Sequence, residues 1–126
     1  MTTTQSEFYN NYLKFCEQMH LYLNHFPKHE KYGLGLRMRN IMYDVYDIYT
    51  EYTLKFHKKT TATNLIIKAE QLKFNILLAY KLGYLNFKDG SYYSSMEGEK
   101  RFNYLTKILV PLIDQLKFIA EKHNEQ

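Results

Sequence analysis

The sequence predicts an all-α protein, a single domain over residues 1–126 that folds as an antiparallel up-down-up-down four-helix bundle. Four segments carry apolar residues at alternating spacings of four and three, the pattern that keeps one stripe of a helix buried. The segments have matching lengths, and most are joined by short turns. No segment of useful length has the pattern of a β-strand.

The first predicted helix follows residues 1–5, which are polar and expected to form a disordered tail. Ser6 is the expected N-cap, and Glu7 is favourable in the first turn. The helix is expected to end near residues 24–26, because Pro27 restricts the residue before it. Its apolar seam comprises Phe8, Tyr12, Phe15, Met19, Tyr22 and Phe26.

The second predicted helix runs from about residue 28 to residue 57. Pro27 suits its first turn, where a missing N–H costs nothing. Gly33 and Gly35 weaken the first turns, so a small residue there is expected to permit close approach of the backbone. The buried seam comprises Leu34, Met38, Ile41, Val45, Ile48 and Tyr52.

The two flanks of this seam differ in chemistry. One flank is mainly charged and comprises Arg37, Asn40, Asp44, Asp47, Glu51, Lys55 and Lys58. The other is mainly aromatic and also contains Thr53. A helix that lies across one small core needs only the seam, so we predict that the aromatic flank contacts other copies of the chain. The predicted oligomer interface comprises Met42, Tyr43, Tyr46 and Tyr49. The alternative is a monomer with a broad core.

The last two helices follow the same pattern. The third is expected from Asn64 to Gly83, with a Thr residue of the turn at 58–63 as its cap and Gly83 as its stop. Asp89 and Gly90 are the strongest turn signal in the longest loop, 84–96. The fourth helix is expected to be capped by Ser95 and kinked at Pro111. The two seams are Leu65, Ala69, Leu72, Ile76, Ala79 and Gly83, and Phe102, Leu105, Leu109, Leu112, Leu116 and Ile119.

Composition narrows the functional class. The aromatic content of 17%, with 13 Tyr, argues against a disordered chain. The net charge of +4 favours an acidic partner. Cys16 is the only cysteine, which excludes an intramolecular disulfide and fits a reducing compartment. Without a long apolar run or a signal-peptide pattern, a cytoplasmic protein that does not associate with membranes is expected.

No catalytic, cofactor or metal site is expected. Asp44, Asp47 and Glu51 share one helix edge, but the Glu-x-x-His pattern of di-iron bundles is absent. Only His25 and His29 have helical ligand spacing, and Pro27 lies between them with no evident third ligand. Phosphate-binding loops and nucleophile motifs are also absent. The sequence therefore predicts a protein that is not an enzyme.

Basic residues concentrate in two regions, before and within the second helix and between residues 55 and 73. Repeated around an oligomer, these regions would form a continuous basic surface suited to phosphate backbones. The alternative is a lysine-rich surface that only confers solubility. The predicted nucleic-acid-binding residues are Lys28, Lys31, Arg37, Arg39, Lys55, Lys58, Lys59, Lys68 and Lys73.

The segment FPKHEKYGLGLRMRNIMYDVYDIY, residues 26–49, resembles the accessory variability determinant proteins of diversity-generating retroelements. In that family a Phe/Leu-Pro-Lys/Arg opening precedes a Leu-Gly pair and an Arg-bearing amphipathic helix. The corresponding residues here are Phe26, Pro27, Lys28, Leu34, Gly35 and Arg37. Four-helix proteins encoded in ribosomal RNA intervening sequences share this opening, but their Asn-Ile-Ala-Glu-like continuation is absent here.

The resemblance implies a homopentameric ring with a basic outer surface that contacts nucleic acid and the reverse transcriptase of the retroelement. It implies a non-catalytic accessory subunit that supports mutagenic complementary-DNA synthesis, with RNA or an RNA–DNA hybrid as a partner. The acidic belt of Asp44, Asp47 and Glu51 lowers the local positive potential and departs from this picture. The alternative function is a homo-oligomeric scaffold of the same fold that has no nucleic-acid role.

Overall fold

The computed structural model describes residues 1–87 and 95–124. These residues form four α-helices: α1 (Thr3–Leu23), α2 (Leu34–Leu54), α3 (Lys59–Lys81) and α4 (Ser95–Asn124), with a short 3-10 turn at Lys28–Glu30 before α2. The described residues include no β-strand. The prediction of an all-α protein with four helices is therefore confirmed.

The helices pack in a cycle, in which α1 contacts α2, α2 contacts α3, α3 contacts α4 and α4 returns to α1. This arrangement is consistent with a four-helix bundle. One hydrophobic core lies between the helices, and most of the predicted seam residues are buried in it. The seam residues that are only partly buried are Ile48, Gly83, Phe102 and Ile119.

The first helix begins earlier than the sequence predicted. Thr2 caps it: the Gln5 N–H donates to Thr2 Oγ1, and the Thr2 N–H donates to Gln5 Oε1, each at 3.1 Å. This reciprocal pair is a capping box, which satisfies two backbone donors at once. Ser6 is therefore inside α1, and its prediction as the cap was wrong.

The second helix begins at Leu34, not at Lys28 as predicted. Residues 28–30 form a 3-10 turn, and the Glu30 carboxylate accepts the Leu34 N–H at 3.2 Å. Gly35 allows the close backbone approach that the sequence suggested. A Cβ added there would lie 2.9 Å from the Glu30 carbonyl oxygen, closer than real Cβ atoms approach.

The turn between α2 and α3 is shorter than predicted, because α2 ends at Leu54 and α3 begins at Lys59. The Lys58 ammonium donates to the Tyr52 carbonyl at 2.9 Å, so a side chain binds one of the last carbonyls of α2. Thr61 and Ala62 are buried in the first turn of α3. The prediction that a threonine caps a helix starting at Asn64 was wrong.

Gly83 stops α3 as predicted. It has a φ of +82°, the left-handed conformation that glycine adopts without strain. The Gly83 N–H donates to the Tyr80 carbonyl and the Tyr84 N–H to the Ala79 carbonyl, each at 3.0 Å, which is a Schellman motif. The predicted turn at Asp89 and Gly90 lies outside the described residues. Ser95 is the first residue of α4, and the helix continues through Pro111.

Candidate nucleic-acid interface

A concave surface with a volume of about 600 Å³ lies where the chain passes from α1 into α2. We call it the Lys28 pocket. Three of the predicted nucleic-acid-binding residues line it: Lys28, Lys31 and Arg39. The other lining residues are Leu23, Asn24, Phe26, Tyr32, Gly35 and Leu36. The structure thus brings together three cations that are up to eleven positions apart in the sequence.

The turn that carries Lys28 and Lys31 is held by contacts on its inner side. Phe26 is buried in the core, and its ring centroid lies 5.4 Å from that of Tyr84. The Tyr84 hydroxyl donates to Glu30 Oε2 at 2.9 Å. Hydrogen bonds from the Leu34 N–H and then from the Tyr84 hydroxyl lower the pKa of the Glu30 carboxyl. The ionised Glu30 carboxylate therefore links the turn to the Leu34 N–H at the start of α2 and to the Tyr84 hydroxyl.

The cations of the Lys28 pocket are not neutralised by neighbouring carboxylates. Lys28, Lys31 and Arg39 form no ion pair with any residue in the ranges 1–87 and 95–124. Arg39 Nη1 lies 3.0 Å from His20 Nδ1, which orients the guanidinium. Glu30 lines a neighbouring groove and not this pocket. The pocket therefore keeps a local excess of positive charge.

Arg37 points away from the Lys28 pocket. It lines the neighbouring groove together with Glu30, Leu78 and Leu82, so its closest acidic neighbour in that groove is Glu30. Although Arg37 and Arg39 are close in sequence, α2 presents them to different surfaces. The two arginines therefore do not form one binding site.

The second predicted basic region differs from the first because most of its lysines have partners. Four ammonium groups contact groups of the chain itself: Lys55 with Glu51 at 3.0 Å, Lys58 with the Tyr52 carbonyl at 2.9 Å, Lys68 with Asp44 at 3.4 Å and Lys73 with Glu70 at 3.1 Å. Lys59 is exposed and has no ion pair within the described part of the chain. Lys55, Lys58 and Lys59 lie at the end of α2 opposite to the Lys28 pocket, about 30 Å along this helix of 21 residues, whereas Lys68 lies beside Asp44 near its middle.

The predicted oligomer interface divides into buried and exposed residues. Met42 and Tyr49 are each only 1% exposed, because they contribute to the core of the chain itself. Tyr43 and Tyr46 are 49% and 37% exposed. The prediction that Met42 and Tyr49 contact another copy is corrected accordingly. Tyr43 and Tyr46 stay predicted contact residues.

Tyr32 was not among the predicted site residues, but its side chain is 81% exposed on the edge of the Lys28 pocket. Lys31 Nζ lies 5.6 Å from its ring centroid. The signal available in the sequence was an aromatic residue outside the helical seam, between Lys31 and Gly33. Such a residue has no place in the core and is available for a ligand.

The turn after α2 was also not among the predicted sites. Leu54, the last residue of α2, and Phe56 in this turn are 81% and 92% exposed. Lys55 donates to Thr61 Oγ1 at 3.1 Å, and Lys58 donates to the carbonyl oxygens of Tyr52 and Thr53. These contacts fix the turn while two large apolar side chains face outwards. The turn is a second exposed surface, distinct from the Lys28 pocket.

The described residues contain no group of three or more His, Cys, Asp or Glu side chains arranged to hold a metal ion. None of the helices within those same ranges is long and apolar enough to cross a membrane. Burial raises the pKa of the Cys16 thiol to about 12. At neutral pH the thiol is therefore protonated, which is the unreactive form.

No protein-family model, curated protein or solved structure matches this chain.

Proposed function

We propose that this protein is a non-catalytic accessory subunit that binds nucleic acid, as the resemblance to the accessory variability determinant proteins implies. Its nucleic-acid partner is RNA or an RNA–DNA hybrid, and its protein partner is a reverse transcriptase that carries out mutagenic complementary-DNA synthesis. The proposed location of the protein is the cytoplasm. The Lys28 pocket is the observation that carries the proposal. Its three cations line one pocket and have no carboxylate partner among the described residues, and phosphates are the natural ligands of such a group.

The proposed bundle is antiparallel, with consecutive helices running in opposite directions. Tyr9 near the start of α1 donates to Thr50 near the end of α2, whereas His20 near the end of α1 contacts Arg39 near the start of α2. Contacts between α3 and α4 support the same reversal: Glu70 with Lys117, and Tyr80 with Phe102.

The proposed assembly is a homopentameric ring. The exposed side chains of Tyr43 and Tyr46 on α2, and of Ile67 and Phe74 on α3, support contacts between copies. A ring carries one Lys28 pocket on each copy of the chain. Since each phosphate contact contributes a small salt-sensitive increment, several pockets around one ring would bind a long strand much more tightly than one pocket.

The test is a titration of fluorescently labelled single-stranded RNA and of an RNA–DNA hybrid at salt concentrations between about 50 and 200 mM. The test variant carries Lys28→Glu, Lys31→Glu and Arg39→Glu. The matched control carries the same charge change at Lys14, Lys107 and Lys122, which are exposed on other surfaces. We expect the test variant to bind more weakly and the control to bind nearly as the natural chain does.

The slope of log affinity against log salt gives a second readout. Each lost phosphate contact on a single strand should flatten the slope by about 0.7. A natural chain that binds neither RNA nor the hybrid at about 50 mM salt would refute the proposal. Equal weakening in both variants would refute the role of the Lys28 pocket.

The second candidate is a homo-oligomeric scaffold without a nucleic-acid role. The exposed Leu54 and Phe56 favour it, because a fixed turn with two outward apolar side chains suits a protein contact. Light scattering combined with the RNA titration separates the two candidates. An assembly of stable mass that fails to bind RNA supports the scaffold.

A further inference from the structure

We propose that the Lys28 pocket takes one unpaired nucleotide, whose base stacks on Tyr32 and whose phosphate binds between Lys28, Lys31 and Arg39. The inference rests on the proposed binding of nucleic acid and adds the chemical unit that each pocket recognises. The ligand chemistry is that of a nucleoside phosphate. It can come from a nucleotide within a strand or from a free nucleotide, and the experiment below distinguishes these sources.

The pocket joins an apolar floor to a cationic rim. Leu23, Phe26 and Gly35 are buried and form part of the floor, and the half-exposed Leu36 extends it towards Tyr32. Lys28 and Lys31 are exposed at the rim, and Arg39 is partly buried. A ligand that fills this surface therefore needs a flat apolar part and an anionic part in one molecule. A nucleotide has both.

Tyr32 provides a surface for the base. Its ring is 81% exposed and packs on no other ring within the described residues. Aromatic side chains of this kind stack on nucleobases, and the stacking tolerates any base because every base has a π-face. The exposed Asn24 also lines the pocket, and its amide group can both donate and accept hydrogen bonds at a base edge.

The cations provide a place for the phosphate. Arg39 is held by His20 at 3.0 Å, so its guanidinium is oriented before a ligand arrives. Lys28 and Lys31 lie on the turn that the ionised Glu30 fixes from the opposite side. A phosphate brings the negative charge that this rim lacks, and Arg and Lys are its usual protein ligands.

An acidic peptide fits the surface less well than a nucleotide. Carboxylates would satisfy the rim, but an acidic segment would leave the ring of Tyr32 and the side chain of Leu36 without a planar apolar partner. The pocket volume of about 600 Å³ lies within the range of small-molecule sites. The combination of an exposed ring, an apolar floor and unpaired cations therefore favours the nucleotide.

The experiment compares an RNA decamer with an abasic decamer of the same backbone, using the full chain and the variants Tyr32→Ala, Tyr32→Phe and Tyr104→Ala. Tyr104 is an exposed tyrosine of α4 that does not line the pocket, so it serves as the control. We expect Tyr32→Ala to weaken binding of the RNA by about 5- to 100-fold and to leave binding of the abasic strand unchanged. Tyr32→Phe should restore the natural affinity, because the ring is retained.

Calorimetric titrations with 5′-AMP, adenosine and inorganic phosphate identify the source of the ligand. Binding of 5′-AMP that Tyr32→Ala abolishes, in a chain that does not bind RNA, would support the pocket as a free-nucleotide site and refute the nucleic-acid function. A natural chain that binds RNA with the expected salt dependence but equally well after Tyr32→Ala would refute the pocket and leave the proposed function standing. Equal affinities of the natural chain for the RNA and for the abasic strand would also refute the stacking of a base on Tyr32.

Discussion

Arg101 is the residue whose role is least visible in the sequence and clearest in the structure. It is buried, and its guanidinium donates to the carbonyl oxygens of Leu85 and Phe87 at 2.7 and 2.8 Å. The guanidinium carbon lies 3.8 Å from the centre of the Phe87 ring, and that ring stacks on His25 at 4.0 Å. Through these contacts, Arg101 of α4 fixes residues 85–87, which follow α3, against His25, which follows α1.

We expect Arg101→Met to reduce the free energy of unfolding by about 3 kcal/mol, because two carbonyl groups lose a buried donor. The change should appear as a lower midpoint of urea denaturation followed by circular dichroism. Lys100→Met is the matched control, because Lys100 is exposed and its one ion pair within the described ranges is with Glu97 at the surface. Its effect should stay within about 0.5 kcal/mol. An equal effect of the two substitutions would contradict the role of Arg101.

Glu30 makes the stability of the turn before α2 depend on pH. Its pKa is lowered by the Leu34 N–H and the Tyr84 hydroxyl, so folding favours the ionised carboxylate. The resulting stabilisation is fully present above the unfolded pKa of about 4.3 and is lost as the pH falls through the lower folded pKa. We expect Glu30→Gln to lower the melting temperature at pH 7 and to have little effect near pH 3.

The control for this prediction is Glu121→Gln, since Glu121 is exposed and forms no ion pair within the described ranges. Its melting temperature should follow that of the natural chain at both pH values. A difference between Glu30→Gln and the natural chain that is the same at pH 3 and pH 7 would show that the carboxylate charge is not the cause.

At the scale of helices, the buried seams were predictable and the helix ends were not. Periodicity identified the core positions because burial along a helix repeats every three or four residues. The ends depend on which side chain reaches a free backbone group, as Thr2 does at α1 and Lys58 does at the end of α2. Such contacts require a folded backbone. Gly83 combined a clear local signal with the observed end of α3, and α1 ends at Leu23, next to the residues 24–26 where Pro27 predicted its end.

The aromatic flank of α2 illustrates the same limit. Its four predicted interface residues share a flank on a helical wheel, but the packing of α1 covers two of them. Tyr12 donates to the Met42 carbonyl at 2.7 Å, and Phe8 packs on Tyr49 with their ring centroids 3.7 Å apart. The angular position of a residue on one helix does not determine whether the neighbouring helix is close enough to bury it. Tyr43 and Tyr46 are the residues left at the surface.

We expect Tyr43→Asp to break the proposed assembly and to leave the helical content unchanged, because it places a charge in an apolar contact. Tyr46→Asp should have the same effect on mass and should also lower the melting temperature, since Tyr46 packs on the edge of Tyr9 at 5.7 Å. Tyr104→Asp, at an exposed tyrosine of α4, is the control. The measurement is light scattering after gel filtration. An unchanged mass for Tyr43→Asp would exclude this flank as the interface.

At the scale of the molecule, the net charge of +4 conceals an uneven distribution. The sequence identified both basic regions, but it could not show which cations have partners, because the partners of Lys68 and Lys73 depend on helix packing and on side-chain conformation. The Lys28 pocket was also hidden. Its residues come from the end of α1, the turn after it and the first two helical turns of α2, and only the fold brings them together.

Because the lysines of the second basic region mostly have partners within the chain, we expect the Lys28 pocket to contribute more to RNA binding than that region does. Replacing Lys28, Lys31 and Arg39 by Glu should weaken binding and flatten the salt dependence by about 0.7 for each pocket that contacts the strand, because the three cations bind one phosphate. Replacing Lys55, Lys58 and Lys59 should flatten it by less, because two of these lysines contact groups of the chain itself. The second variant should also be less stable, since the Tyr52 carbonyl loses a donor. RNA titrations at several salt concentrations, together with thermal denaturation, measure both effects. A larger loss of slope in the second variant would place the interface at the turn after α2 instead.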